Sequence, residues 1–123
     1  MNDLNNKPKF DLEDRTVVFS ENIILLCKKI PKHDLIQPIL IQLIRSATSI
    51  GANYNEANGA SSKKDFANKI FICKKESKET QYWLRLLAKS INDEKIISEI
   101  RILWQESLEL GKIFSAIAVK SRV

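Results

Sequence analysis

The sequence predicts an all-α protein, an antiparallel up-down-up-down four-helix bundle that forms one domain over residues 1–123. Apolar residues make up 44% of the chain, so it can bury a core without disulfides or metal. With three glycines and three prolines, it has too few turn residues for a β-sandwich. Long segments place apolar residues at intervals of three and four, which indicates helices with one buried face.

The first half of the chain predicts a loose polar arm at residues 1–9, followed by two helices. The first helix spans about residues 11–29 and ends before Pro31, because a residue that precedes proline avoids the helical conformation. The second begins between residues 34 and 38 and ends near Asn58. The apolar seam of the first helix consists of Leu12, Thr16, Phe19, Ile23, Leu26 and Ile30.

The second half predicts two further helices joined by short loops. Gly59 to Ser61 form a turn, and Ser62 is the predicted N-cap of a third helix that continues to about Lys89. Residues 91–93 separate it from the fourth helix. The seam of the fourth helix consists of Ile96, Ile100, Leu103, Ser107, Leu110, Phe114 and Ile117.

A polar stripe on the second helix is the most specific pattern in the chain. Its five polar side chains fall within an arc of about 80° on a helix. A turn near residues 59–62 places Arg45 opposite Glu76, Gln42 opposite Glu79, and Glu56 near Asp65 and Asn68. We predict a buried structural polar cluster, which fixes the register between the second and third helices. Its members are Gln42, Arg45, Ser49, Asn53, Glu56, Glu76 and Glu79.

The same carboxylates raise two sharper alternatives, a di-iron centre and general acid–base catalysis. A di-iron bundle also needs Glu-x-x-His pairs, whereas the only histidine is His33 in a loop. Arg45 would introduce a positive charge into a metal site, and it would keep catalytic carboxylates ionised at neutral pH. We therefore predict no metal, no cofactor and no enzymatic activity.

The cysteines and the apolar runs bear on the compartment. Cys27 and Cys73 each lie in an apolar helical run, and no secretory signal precedes them, so we expect two buried thiols in the cytoplasm. The longest apolar run, residues 35–44, is too short and too polar to span a membrane.

The net charge of +5 is concentrated in one segment. Residues 63–89 contain eight basic and three acidic side chains, so the rest of the chain is electrically balanced. On a helix, seven of the eight basic side chains and two aromatic ones fall within an arc of about 120°. This basic stripe consists of Lys63, Lys64, Lys74, Lys75, Lys78, Arg85 and Lys89, with Phe71 and Tyr82. It indicates either contact with RNA or DNA phosphates or an ordinary solvated face.

Apolar residues outside the predicted core predict self-association. On the second helix we assign Ile39, Leu43, Ile50 and Tyr54 to the core face. The apolar residues outside the core are Leu40, Ile41 and Ile44 on the second helix and Ile72, Trp83 and Leu86 on the third. Together they would expose a larger apolar patch than monomers tolerate. We expect a closed cyclic homo-oligomer that buries parts of these helices.

Several segments resemble a known family. They are Phe10-Asp11-Leu12, Ile30-Pro31, the block from Gln42 to Ala57, Lys75 to Thr80, and Tyr82-Trp83-Leu84. In these segments the chain resembles the four-helix-bundle proteins encoded in 23S ribosomal RNA intervening sequences. That family is similar to the accessory variability protein of diversity-generating retroelements. The resemblance implies a ring, a homopentamer in the retroelement relative, with a basic surface for nucleic acid and no established enzymatic activity. It leaves open an alternative function, a scaffold that recruits an acidic protein such as a reverse transcriptase.

Overall fold

The computed structural model describes residues 11–122, which form four α-helices in agreement with the predicted fold class. The predicted bounds agree with the observed ones to within two residues. The loose arm predicted at residues 1–9 lies outside the described residues. The helices are α1 (Leu12–Lys28), α2 (Ile36–Asn58), α3 (Lys63–Lys89) and α4 (Glu94–Lys120).

Side-chain contacts between the helices fix their antiparallel directions. Arg45 on α2 contacts Glu76 on α3, whereas Glu56, three turns later on α2, contacts the earlier residue Lys69. Residue numbers therefore rise along one helix as they fall along its neighbour. The same reversal holds for Gln81–Ser107 and Ser77–Gly111 between α3 and α4, and for Arg15–Glu106 and Lys29–Glu99 between α1 and α4.

Three of the four helices begin at a side-chain cap. Ser62 Oγ accepts a hydrogen bond of 3.0 Å from the Asp65 N–H, which confirms the predicted start of α3. The carboxylates of Asp11 and Asp93 cap α1 and α4 in the same way. Helix α2 lacks a side-chain cap, and its first amides donate instead to the backbone oxygen of His33.

The core lies along the seams predicted for α1 and α4. Phe19 and Ile23 of α1 and Leu110 and Phe114 of α4 are fully buried. On α2 the assignment of Leu40 was wrong, because this residue was predicted to lie outside the core but is only 4% exposed. Ile44 and, on α3, Trp83 were also predicted outside the core, but both are partly buried against it. Helix α2 packs against both α1 and α3, so its apolar arc is wider than a stripe facing one neighbour.

Small side chains allow close approach in the middle of the bundle. Ser46, Ser77, Thr80 and Ser107 are fully buried, and each hydroxyl donates to a backbone oxygen one turn earlier. Thr80 Oγ1 also lies 3.0 Å from Ser46 Oγ, which joins α3 to α2. Because these residues satisfy their own hydrogen bonds, they bring three helices together without a polar penalty.

Candidate nucleic-acid interface

The basic stripe lies on the outward side of α3. Helix α3 packs against α2 on one side and α4 on the other, and the arc between these contacts faces away from the core. All seven basic side chains of the stripe are exposed. Within residues 11–122, none of them forms an ion pair, whereas the off-stripe Lys69 pairs with Glu56 at 2.8 Å. The stripe is therefore a surface of a single sign.

The length and aromatic content of the stripe suit an extended polyanion. From Lys63 to Lys89 it extends about 39 Å along the helix axis. Phe71 is 57% exposed and Tyr82 is 56% exposed, on the same face as the basic groups. The Tyr82 ring meets Trp83 edge-on, with ring centroids 4.9 Å apart. Exposed rings beside cations can stack with bases while the cations contact phosphates.

The predicted polar cluster has Arg45 as its hub. Its guanidinium lies 3.2 Å from Glu76 Oε1 and 2.5 Å from Glu79 Oε2, as the turn between α2 and α3 predicted. Arg45 Nε also donates to Gln42 Oε1 at 3.3 Å, so Gln42 contacts the arginine. Trp83 Nε1 donates to the same Glu79 oxygen at 3.0 Å.

The cluster is less buried than the sequence suggested. The side chain of Arg45 is 47% exposed, against 34% for Glu79 and 10% for Glu76. Hydrogen bonds from Trp83 and from Arg45 lower the pKa of Glu79 below its ordinary value. The pKa of Arg45 is raised by its hydrogen bonds to Glu79 and Glu76. Arg45 and Glu79 therefore stay charged near neutral pH, which suits a structural role better than proton transfer.

Three predicted members of the cluster, Ser49, Asn53 and Glu56, form their hydrogen bonds and ion pairs with residues other than Arg45. The Asn53 side-chain amide donates to Ser49 O and Ser49 Oγ, both at 2.9 Å, so this pair is satisfied within α2. Glu56, expected near Asp65 and Asn68, forms its ion pair with Lys69. The polar stripe of α2 therefore makes two separate sets of ion pairs with α3, one through Arg45 and one through Glu56. Between them, Asn53 and Ser49 are hydrogen-bonded to each other within α2.

Sequence reasoning missed the polar contacts that α4 makes. Arg15 of α1 forms a two-pronged ion pair with Glu106, at 2.7 and 2.8 Å.

A groove between α3 and α4, also not predicted, places Arg85 beside Arg101 and Trp104. The spacing of Arg101 and Trp104, three residues apart on one helix, is the one signal that could have indicated this groove.

Three further features of residues 11–122 concern metal ligands, membrane spans and the cysteines. Residues 11–122 contain no group of three potential metal ligands among His, Cys, Asp and Glu. Over the same residues, no helix has the length and apolarity that crossing a bilayer requires. Cys27 and Cys73 are both buried and unpaired, and burial raises their pKa values to about 11 and about 12.

Comparison with known proteins identifies the family. The sequence profile of the 23S rRNA-intervening sequence proteins matches residues 9–114. The chain belongs to this family. Among solved structures, it is similar to a protein of unknown function from the S23 ribosomal protein family of Bacteroides thetaiotaomicron. The two are 35% identical with a TM-score of 0.74, over 86% of this chain and 96% of that one. No curated protein sequence matches the chain.

The range matched by the family profile includes both candidate surfaces. The matched range includes the whole of α3, and therefore the complete basic stripe, as well as the Arg45 cluster. It ends at Phe114, so the last turns of α4 lie beyond it.

Proposed function

We propose that this protein is a non-enzymatic, oligomeric nucleic-acid-binding protein that contacts the phosphates of structured RNA, or of DNA, through the α3 stripe. The observation that carries the proposal is the row of seven exposed cations without carboxylate partners in the described chain. On many exposed helices, charges of opposite sign lie one turn apart and pair with each other. A row of one sign on a rigid helix attracts a polyanion.

The composition of the stripe favours binding to the backbone over reading of sequence. Six of its seven cations are lysines, which act as flexible point charges, and only Arg85 can form a two-pronged contact. Contacts to phosphates position a protein on nucleic acid but do not distinguish bases. Membership in a family named for a 23S rRNA intervening sequence supports RNA as the first nucleic acid to test.

Self-association is supported by exposed apolar side chains on two helices. Ile41 on α2 is 56% exposed, and Ile24 on the facing part of α1 is 43% exposed. Together with Trp83, Ile41 also lines a groove of about 510 Å³ at the start of α2. We infer a cyclic homo-oligomer that covers these residues, and the family resemblance favours five subunits. A ring would bring several stripes together and strengthen their field.

The cytoplasm is the proposed location, since two buried thiols without a disulfide suit a reducing compartment. The raised pKa values of Cys27 and Cys73 leave both sulfurs protonated and unreactive at neutral pH. This supports the non-enzymatic part of the proposal, because neither cysteine is suited to act as a nucleophile.

A salt titration tests the proposal against its rival, a scaffold that recruits an acidic protein such as a reverse transcriptase. Log affinity for RNA should fall linearly with log salt, by about 0.7 per phosphate contacted on a single strand and about 0.9 on duplex DNA. If Lys74, Lys75 and Lys78 contact phosphates, replacing all three with Gln should make the single-strand slope shallower by about 2.

A matched variant controls for the loss of net charge. Lys95, Lys112 and Lys120 are exposed on α4 and lie outside the stripe. Replacing them with Gln removes the same charge, and we expect the slope to change by less than half as much. Equal effects of the two triple variants would refute the stripe as the binding surface. Absence of binding to both RNA and DNA at low salt would refute the nucleic-acid function and leave the scaffold.

A further inference from the structure

The groove between α3 and α4 has an apolar floor and a rim of charged and aromatic side chains. Its floor is apolar, since Leu84 and Ile100 are at most 1% exposed, and the small side chain of Ala88 leaves the space open. Its volume is about 380 Å³, within the range of sites that hold small ligands. Arg85, Arg101 and Trp104 form its rim.

The rim combines two cations with one aromatic face. Arg85 and Arg101 are exposed, and in residues 11–122 neither guanidinium pairs with a carboxylate. Trp104 is 37% exposed, so one part of its indole is open to a ligand. In the same described range its ring nitrogen has no hydrogen-bond acceptor, whereas that of Trp83 donates to Glu79.

We propose that this groove binds one unpaired nucleotide of the nucleic acid that lies on the α3 stripe, with the base on Trp104 and the phosphate between the two arginines. The inference deepens the proposed function and rests on it. Arg85 belongs to both the stripe and the groove, so a strand that follows the stripe reaches the groove without a break.

A planar anion is the occupant that fits this lining. An aliphatic side chain would fill the floor but would offer no anionic partner to the two guanidinium groups on the rim. A free phosphate would satisfy the arginines but leave the apolar floor and the indole uncovered. A nucleotide satisfies both, because bases stack on aromatic and guanidinium planes while the phosphate accepts charged hydrogen bonds.

The inference predicts a preference for single strands that the stripe alone does not provide. Bases in a duplex are already stacked on one another, so they cannot enter the groove without unpairing. The stripe contacts phosphates, which duplexes and single strands both present. Discrimination between the two forms should therefore depend on Trp104.

The test compares an oligouridine of about 12 nucleotides, a length within known single-strand site sizes, with an RNA duplex of similar length. Trp104→Leu keeps an apolar side chain but removes the π face, and should weaken oligouridine binding about 5- to 160-fold. Duplex affinity should change less than about twofold, and Trp104→Phe should restore most of the single-strand affinity. Ile102→Ala, an exposed apolar change on the opposite side of α4, is the control and should alter neither affinity.

A second measurement reports on Trp104 directly. The chain contains two tryptophans, so Trp83→Phe leaves Trp104 as the only indole. Stacking should quench its fluorescence when oligouridine binds. If Trp104→Leu leaves the oligouridine affinity unchanged while the stripe variants weaken it, the groove inference is wrong and the stripe function stands. If Trp104→Leu instead changes the mass of the assembly, the groove is a contact between copies and the inference is also wrong. If the unaltered protein binds neither the two RNAs nor DNA oligonucleotides of the same lengths at low salt, both proposals are wrong.

Discussion

Replacement of Arg45 by leucine should destabilise the α2–α3 pair. The substitution keeps the helix and the aliphatic stem but removes the guanidinium that bridges Glu76 and Glu79. These two carboxylates are three residues apart on α3, so they share a face and would repel each other once the arginine is absent. Glu76 is the more seriously affected, because its side chain is only 10% exposed.

The size of the effect follows from the exposure of the three side chains. Breaking a buried ion pair costs about 3–5 kcal/mol, whereas a fully exposed pair contributes about 0.2–1 kcal/mol. Arg45 is 47% exposed and Glu79 is 34% exposed, so the Coulomb part is screened by water. Because Glu76 is nearly buried, part of the larger cost of breaking a buried ion pair still applies. We expect a loss of about 1.5–3 kcal/mol in the free energy of unfolding.

The pH dependence gives a second signature. The pKa of Glu79 is lowered in the folded protein by its hydrogen bonds to Trp83 and Arg45. A carboxylate with a lowered pKa stabilises the folded state above its unfolded pKa, and this contribution is lost as the pH falls through the folded pKa. The difference in the free energy of unfolding between Arg45→Leu and the unaltered protein should therefore be largest near neutral pH and decrease below about pH 4.

Urea unfolding followed by circular dichroism measures both effects, at one protein concentration because assembly adds to stability. Lys69→Leu is the matched control, since it breaks the other ion pair between α2 and α3, whose acidic partner Glu56 is 57% exposed. It should cost less than about 1 kcal/mol. The reasoning is refuted if Arg45→Leu costs no more than Lys69→Leu, or if its cost is the same at acid and neutral pH.

Three further outcomes are expected. Light scattering should give a mass that is a multiple of the 14.1 kDa chain mass. Ile41→Asp should lower the mass of the assembly, whereas Ile102→Asp should leave it unchanged. A monomer mass for the unaltered protein would refute the oligomer. Gly51→Val should cost about 2 kcal/mol in urea unfolding, because a Cβ at Gly51 would lie 3.1 Å from Oγ1 of the buried Thr16; an unchanged midpoint would mean that α1 shifts freely. Cys73 should react with a thiol reagent only as fast as the chain unfolds, since burial raises its pKa to about 12, and rapid labelling of the folded protein would contradict its burial.

Much of the fold could be predicted because the information is local. The period of the apolar residues defined the seams of α1 and α4, and Ser62 marked the start of α3. The contact of Arg45 with Glu76 and Glu79 could be predicted because a four-residue turn joins the two helices and fixes their register. A short connection therefore makes it possible to predict which residues of two neighbouring helices contact each other.

The failures have equally physical causes. Leu40 was placed outside the core because periodicity gives the direction of a helix face but not the number of neighbours that cover it. The pairing of Glu56 depended on the reach of the flexible Lys69 side chain, which register does not determine. Arg15 and Glu106 are 91 positions apart, and no loop sets the register between the first and last helices. The groove beside Trp104 likewise required the packing of α4 on α3 to be known.

The attachment of α1 has a consequence for how the molecule opens. Helix α1 is the shortest of the four, with 17 residues, and its link to α2 is the longest connection, at residues 29–35. Of the two ion pairs that join it to α4, Lys29–Glu99 is the more exposed and contributes little, whereas the two-pronged Arg15–Glu106 pair is the stronger contact. Partial unfolding that begins at α1 would leave the contacts between α2, α3 and α4 in place. Because α3 packs between α2 and α4, the basic stripe and the groove beside it would keep their geometry while α1 is unfolded.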